Sequence, residues 1–334
     1  MDAEQSVDHP GGQSRPVLDG AKVLITGGLG FIGLSTARRL IDAGEEVVLT
    51  QYRVPRMPDF VKEEFGKRAF VEQLDVTDGD KLLDIGRRYK ISGIVHLAQP
   101  GLGALSPADD FRVNMLGLLN ILEAARVWEV KRLGLASSIA VYGGENHGPF
   151  REEMNLRPFG SYSIEVYKKA FEIIGSHYAQ RANLDVVMLR IAGIYGPLYH
   201  SMSNLPSRFV HAAVKGEAPD MHGQDVFADD EGDLCYVKDC AQGIALLQLA
   251  DKLPNCVYNI GLGHGTTNRE LADAIRAVIP DAQLRLKPGK GPVVRSNAHM
   301  DVSRLRQDTG YEPEWPAAKA IPDYIAWLRA GNAE

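Results

Sequence analysis

An α/β fold built on a doubly wound parallel sheet is predicted by two features of the sequence. Short apolar runs alternate with amphipathic patterns through roughly the first 200 residues, and a glycine-rich turn joins the first run to the first helical pattern. Successive strands separated by helices need crossover connections, which makes neighbouring strands parallel. The remaining residues are expected to form a smaller C-terminal α/β lobe.

The glycine-rich turn indicates the ligand class. It follows the apolar run 23–25 and has three glycines spaced G-x-x-G-x-x-G, which suit a tight turn, a close approach of backbone to a pyrophosphate, and close packing of helix on strand. The N–H groups at the start of the helix would bind the phosphates. A Rossmann-type dinucleotide-binding domain is therefore predicted, with contacts from Gly27, Gly30, Phe31, Ile32 and Gly33.

The end of the second strand pattern bears on cofactor choice. An acidic residue there usually binds the adenosine ribose of NAD, but this chain has Gln51. Glutamine can bond a ribose hydroxyl without repelling a 2′-phosphate, and Arg53 or Arg56 could pair with that phosphate or lie solvated in the loop. The expected cofactor is therefore NAD or NADP.

Further strand ends point to the same crevice, because ligands of such sheets bind outside the carboxyl ends of the strands. Asp75 could accept a bond from the adenine amino group or cap the next turn, whereas His96, inside an apolar run, is expected to be a core residue. In the helix pattern 109–128, Asn114 is a polar residue among the recurring apolar positions. The further predicted cofactor contacts are Asp75, Val76, Leu97, Ala98, Asn114 and Ala136, with Gln99 as a substrate contact.

Composition excludes several classes of function. The 334 residues are 45% hydrophobic and 24% charged with a net charge of −6, so the basic surface of a nucleic-acid-binding protein is not expected. Three cysteines without a C-x-x-C pair indicate neither disulfides nor a zinc site, and the histidine spacing supports no metal site. Residues 1–20 are predicted to be a disordered leader, and the chain is expected to be cytoplasmic without a membrane span.

The chain resembles the extended short-chain dehydrogenase/reductases, the NAD(P)-dependent sugar epimerases and dehydratases. The resemblance covers nearly everything from Lys22 onward. It is carried by the glycine turn and by the segments 96–98, 137–143, 189–197, 235–241, 258–261 and 301–304, together with Asn114.

This resemblance implies a serine/tyrosine/lysine mechanism. Ser138 would hydrogen-bond the substrate oxygen, and Lys168, placed by Glu172 four residues later, would bind the nicotinamide ribose. The tyrosine expected four residues before the lysine is replaced by Ile164. Tyr162, two residues earlier, stands at the expected helix entrance, so either Tyr162 or a bound water would transfer the proton.

The second half of the chain is expected to complete the cofactor site and to bind the substrate. The resemblance places Ile191 and Ile194 beneath the nicotinamide, and it places Gly193 where sugar-nucleotide members usually have an asparagine. The arginines expected near the substrate are Arg208 and Arg295, whereas the run 229–231 is acidic, would repel a diphosphate, and is expected to be a solvated face. The predicted domains are a cofactor domain, residues 21–198, and a substrate lobe, residues 199–334, from which residues 234–262 return to the cofactor domain.

The predicted function is hydride transfer between a nicotinamide and a hydroxyl-bearing carbon of a carbohydrate-like substrate. The absent tyrosine motivates an alternative, a dinucleotide-binding regulator with little or no turnover. A homodimer is expected from the resemblance, formed through the helices near Asn114 and Lys168.

Overall fold

A computed structural model describes residues 20–52, 56–101, 104–199, 201–292 and 296–332. Its main feature is a seven-stranded parallel sheet formed by β1 (Lys22–Thr26), β2 (Glu46–Gln51), β3 (Ala69–Gln73), β4 (Ile91–His96), β5 (Arg132–Ser138), β6 (Val186–Ile191) and β10 (Val257–Ile260). The strand order is β10-β6-β5-β4-β1-β2-β3. The predicted doubly wound sheet is therefore confirmed, and its order reverses between β1 and β4, the usual position of a ligand crevice.

Helices cover both faces of this sheet. In chain order, the helices of the described residues are α1 (Phe31–Asp42), α2 (Asp59–Lys62), α3 (Gly79–Arg88), α4 (Pro107–Val127), α5 (Ser163–Ala182), α6 (Leu205–Lys215), α7 (Val237–Leu249), α8 (Asn268–Val278), α9 (Ser303–Thr309) and α10 (Ala317–Arg329). Alternate residues of one strand point to opposite faces. Accordingly, Val23 and Ile25 pack with α1 and α7, whereas Leu24 packs with α3, α4 and α5. Both faces are thus buried, which explains the continuous apolar strand runs.

A separate apolar cluster forms the C-terminal lobe. Phe209 of α6, Leu271 of α8 and Ile321 of α10 lie in this cluster, and α8 begins with a capping box between Thr267 and Glu270. Two short ladders, β7 (Gly193–Tyr195) with β9 (Leu234–Tyr236) and β8 (Glu231–Gly232) with β11 (Thr266–Thr267), lie outside the main sheet.

The chain returns from the lobe to the sheet through α7 and β10. Helix α7 packs against α1, and β10 pairs with β6. The domain limits themselves stay a prediction, and the proposed leader lies outside the described residues except for Gly20. In the parts of the chain described above, no helix is long and apolar enough to cross a membrane.

Candidate functional site

A cavity of about 480 Å³ lies at the carboxyl ends of β1 to β4. Tyr52 and Leu105 contribute to its wall. It also brings together seven residues that the sequence predicted for cofactor or substrate, namely Gly27, Gly30, Asp75, Val76, Leu97, Ala98 and Gln99.

The glycine turn has the geometry of a phosphate cradle. Gly27 adopts φ +67°, and its carbonyl oxygen accepts a bond from the Gly30 N–H at 2.9 Å. A Cβ on Gly33 would lie 2.4 Å from that same oxygen, so a side chain there would force the turn apart. Helix α1 begins at Phe31 without a side-chain cap, which leaves its first N–H groups to a bound anion.

Gln51, which the sequence analysis expected at the cofactor ribose, lies at the end of β2. The Gln51 Oε1 is buried without a hydrogen-bond partner in the described part of the chain. A buried unpaired acceptor is unfavourable, and a ribose hydroxyl would satisfy it. Arg53 lies outside the described residues, whereas Arg56 lines a different cavity beside Trp327.

Two polar residues beside the cavity have structural partners. Asp75 accepts bonds through Oδ1 from the Thr77 N–H at 2.9 Å and the Thr77 hydroxyl at 2.7 Å, so it closes its turn and lines the cavity at once. His96 is buried with Nδ1 2.7 Å from the Thr26 hydroxyl oxygen, and burial lowers its pKa to about 3. His96 is therefore a neutral core residue, as the sequence predicted.

Five other predicted cofactor residues are not among the lining residues of this cavity. The Phe31 ring packs edge-on against Tyr199 at 5.1 Å, and the amide nitrogen of Asn114 donates to the Asp110 carbonyl at 2.8 Å. The remaining predicted contacts, Ala136 of β5, Ile191 of β6 and Ile194 of β7, are buried in one apolar core cluster.

Ser138 is the last residue of β5, and Lys168 lies in the second turn of α5. The Ser138 Oγ accepts from the Ala140 N–H at 3.1 Å and caps a 3₁₀ helix, Ile139–Tyr142. The Lys168 side chain is almost fully buried beside the Phe171 ring, 4.8 Å from its centroid. Desolvation lowers its pKa to about 8. Among the residues described here, no hydrogen-bond acceptor or carboxylate pairs with the Lys168 ammonium, which is consistent with a role in binding a ligand.

The start of α5 is where the sequence analysis expected a tyrosine four residues before Lys168. The helix begins at Ser163, Tyr162 is its N-cap, and Ile164 lies one turn before Lys168. The Tyr162 side chain is 51% exposed and makes no capping bond. Ile164 therefore lies one turn before Lys168, where the sequence analysis expected the acid/base tyrosine, and the half-exposed Tyr162 lies two residues before it.

A buried polar network beneath Ser138 was missed by the sequence analysis. Arg190 of β6 forms two bonds to Glu172, at 2.9 and 2.7 Å, and a third to the Tyr142 hydroxyl at 2.8 Å. Ser137 donates to the same glutamate at 2.5 Å. The signal was an arginine inside an otherwise apolar strand run, which a buried partner must neutralise.

The substrate side differs from the sequence expectation in one respect. The run 229–231 is not simply solvated, since Asp229 pairs with Arg269 at 2.8 Å and Asp230 accepts from the Gly291 N–H at 2.9 Å. A Cβ on Gly193 would lie 2.9 Å from the Asp233 carbonyl oxygen, so the asparagine of sugar-nucleotide members would need a shifted backbone here.

Of the two predicted substrate arginines, the structure describes Arg208. Arg208 donates to the Met202 carbonyl at 2.7 Å, and Arg295 lies outside the described residues. Within the described ranges, no group of three or more histidine, cysteine, aspartate or glutamate side chains could hold a metal ion.

The fold and this crevice define a dinucleotide-binding α/β protein. A family model described as NAD dependent epimerase/dehydratase family matches residues 23–261, which is more than half of the chain. The chain belongs to this family, and the resemblance stated from its motifs is confirmed.

Individual proteins similar to this chain are epimerases of the same family. The UDP-glucose 4-epimerase of Mycolicibacterium smegmatis is 28% identical over 318 residues, covering 92% of this chain and 98% of that protein. The Thermus thermophilus UDP-glucose 4-epimerase, solved in complex with NAD, is 26% identical with a TM-score of 0.75, covering 92% and 99% of the two chains. The Thermotoga maritima UDP-glucose 4-epimerase, solved with UDP-glucose, has a TM-score of 0.77 over 93% and 99% at 24% identity, which supports the fold alone.

Proposed function

We propose that the chain is an NAD(P)-dependent enzyme of the epimerase/dehydratase type that acts on a hydroxyl-bearing carbon of a sugar or sugar-like substrate. The observation that carries this proposal is the cavity at the sheet's switch point with its glycine cradle. The Gln51 Oε1, which has no hydrogen-bond partner among the described residues, supports it. Bound nicotinamide would exchange a hydride with the substrate carbon. The structure of the Thermus thermophilus relative in complex with NAD supports NAD as the cofactor. The neutral Gln51 side chain would also accept NADP.

The chain's own groups would orient the substrate and move the proton. The Ser138 hydroxyl would donate to the substrate oxygen, and the Lys168 ammonium would bind the cofactor ribose. Tyr162 or a bound water would take or return the proton of the reacting hydroxyl. Arg208 and Arg295 remain candidate substrate contacts.

We also propose that the protein is a homodimer. Helices α4 and α5 pack against each other and leave apolar side chains exposed on their outer faces, namely Phe111, Leu116, Leu119, Val127, Val166 and Ile173. Several large apolar side chains exposed on two packed helices are characteristic of an interaction surface.

The function is tested by incubating the protein with NAD or NADP and a panel of sugars, uronates and nucleotide sugars. Products are separated by chromatography in addition to recording nicotinamide absorbance, because an epimerase returns its hydride within each cycle. Turnover of a carbohydrate is the expected result. Tight dinucleotide binding without conversion of any compound would instead support the regulator.

Ser138→Ala is expected to lower turnover at least about 100-fold, because the substrate oxygen loses its hydrogen-bond donor. The dissociation constant for NAD should stay within about twofold of the parent. Ser92→Ala is the matched control, since the Ser92 hydroxyl donates to the Lys22 carbonyl at the amino ends of β4 and β1, at the opposite end of the strands from Ser138. Unchanged turnover of the Ser138 variant would refute its assignment.

A further inference from the structure

The N-terminus of α5 is built in an unusual way. Ser, Thr, Asp and Asn are preferred at an N-cap because their side chains accept a bond from the first turn. Tyr162 occupies this position without a capping bond, and half of its large side chain is exposed. Relative to a good cap, this choice costs about 1 kcal/mol of helix stability. Local helix stability does not account for a tyrosine here.

A buried ion pair holds this helix start instead. Glu165 and Lys169 are one turn apart, with side chains that are 3% and 8% exposed, and their charged groups are 2.7 Å apart. The Glu165 carboxylate lies against Gly143, where an added Cβ would be 2.2 Å from Oε1. The pair therefore packs on the turn that follows Ser138 and its 3₁₀ helix.

Both charged groups also bind the backbone of the segment before the helix. The Lys169 ammonium donates to the Phe159 carbonyl at 2.7 Å, and Glu165 Oε2 accepts from the Ser161 N–H at 2.9 Å. The segment 159–162 is thus tethered at two points. In a capping box the third helical residue reaches back to the N-cap N–H; here it reaches one residue further.

Stability alone gives a weak reason to keep such a pair. Desolvating two charges offsets much of their attraction, so replacement by apolar residues of similar size is often neutral or stabilising. The contacts to residues 159 and 161 are directional, and apolar residues cannot make them.

We propose that the Glu165–Lys169 pair is a positioning device, which fixes segment 159–162 against the turn at Gly143 and thereby holds Tyr162 at the start of α5. Its catalytic meaning rests on the proposed function, in which Tyr162 serves in place of the tyrosine that Ile164 replaces. The tethering itself does not depend on turnover. The two parts of the proposal can therefore be tested separately.

The decisive variant is Glu165→Leu/Lys169→Met, which removes both tethers without leaving an unpaired buried charge. In the NAD-saturated protein we expect amide hydrogen exchange at Ser161 to accelerate at least tenfold, with exchange in β5 and β6 unchanged and the thermal midpoint close to that of the parent. Glu165→Gln/Lys169→Met keeps an acceptor for Ser161 and should give a smaller acceleration. The single variant Lys169→Arg keeps a donor for both Phe159 and Glu165, and it should retain the parental hydrogen-exchange protection at Ser161.

A spectroscopic readout follows Tyr162 directly. With 3-fluorotyrosine placed at position 162 alone, the parent should show one narrow fluorine resonance, and Glu165→Leu/Lys169→Met a broadened or multiple signal. If Tyr162 also transfers the proton, Tyr162→Phe should lower turnover in the parent but have little further effect in that double variant. Unchanged Ser161 exchange together with an unchanged fluorine spectrum would overturn the positioning role, even if the enzyme proves to be an epimerase.

Discussion

At the scale of single residues, we propose that Gln51 contacts the adenosine ribose of the bound cofactor. Its buried Oε1 faces no partner in the described residues, and its side chain is neutral. Gln51→Asp should weaken NADP binding at least tenfold, because a carboxylate repels the 2′-phosphate, while NAD binding should change by no more than a few fold.

The comparison is made by titrating both cofactors and measuring their dissociation constants. Gln51→Asn is the control, since it shortens the side chain without adding charge and should retain the parental ratio of the two constants. An NADP affinity that is equal in the aspartate and asparagine variants would show that this position does not contact the ribose.

Individual site residues were predictable where their chemistry is local. Gly27 and Gly33 follow from the backbone geometry of one turn, and Asp75 follows from its position at a strand end. The role of Glu165 and Lys169 was not predictable, because an i, i+4 charge pair is usually solvent-exposed. Its burial depends on Gly143, which lies more than twenty residues earlier in the chain.

At the scale of elements, Asp233 joins three segments. It accepts bonds from the Leu262 N–H at 3.2 Å, after β10, and from the Met300 N–H at 2.9 Å, before α9. Its own carbonyl accepts from Gly193 at the start of β7. Burial raises the pKa of its carboxyl from 3.8 to about 6.

This shift predicts a pH dependence of stability. Between about pH 4 and pH 6 the native state binds the Asp233 proton more tightly than the unfolded state does, so the free energy of unfolding from this group falls as pH rises. The full change is on the order of 3 kcal/mol. Asp233→Asn lacks this loss, so the parent should lose more stability than the variant between pH 4 and pH 7.

Urea unfolding at four pH values across that range measures the difference. Asp251→Asn removes an equal charge from a fully exposed side chain and should follow the parent curve. Parallel curves for the parent and Asp233→Asn would contradict a raised pKa.

Element limits were predictable where capping signals are local, and less so where a distant partner decides. The helix predicted at 109–128 begins at Pro107, after a Ser106 cap that accepts from the Asp109 N–H. The sequence predicts the sixth strand at 183–190, with Arg190 as its last residue. Strand β6 spans Val186–Ile191 and continues one residue past Arg190, because Glu172 neutralises the guanidinium in the interior.

At the scale of the whole molecule, the exposed faces of α4 and α5 predict an assembly. Leu119→Arg and Ile173→Glu each place a charge in the middle of the proposed contact and should convert a dimer into monomers. Light scattering coupled to gel filtration measures the mass. Met57→Arg, at an exposed apolar residue of another surface, should leave the mass unchanged, and a monomeric parent would refute the proposed dimer.

The position of β10 also has a consequence for biosynthesis. This strand pairs with β6, although about 65 residues separate the two along the chain. While the ribosome is still producing the intervening residues, the outer edge of β6 has no native neighbour, and an open parallel edge is a site for wrong pairing. The last strand of the sheet therefore joins it late, and premature termination before residue 260 would leave a nascent chain prone to aggregation.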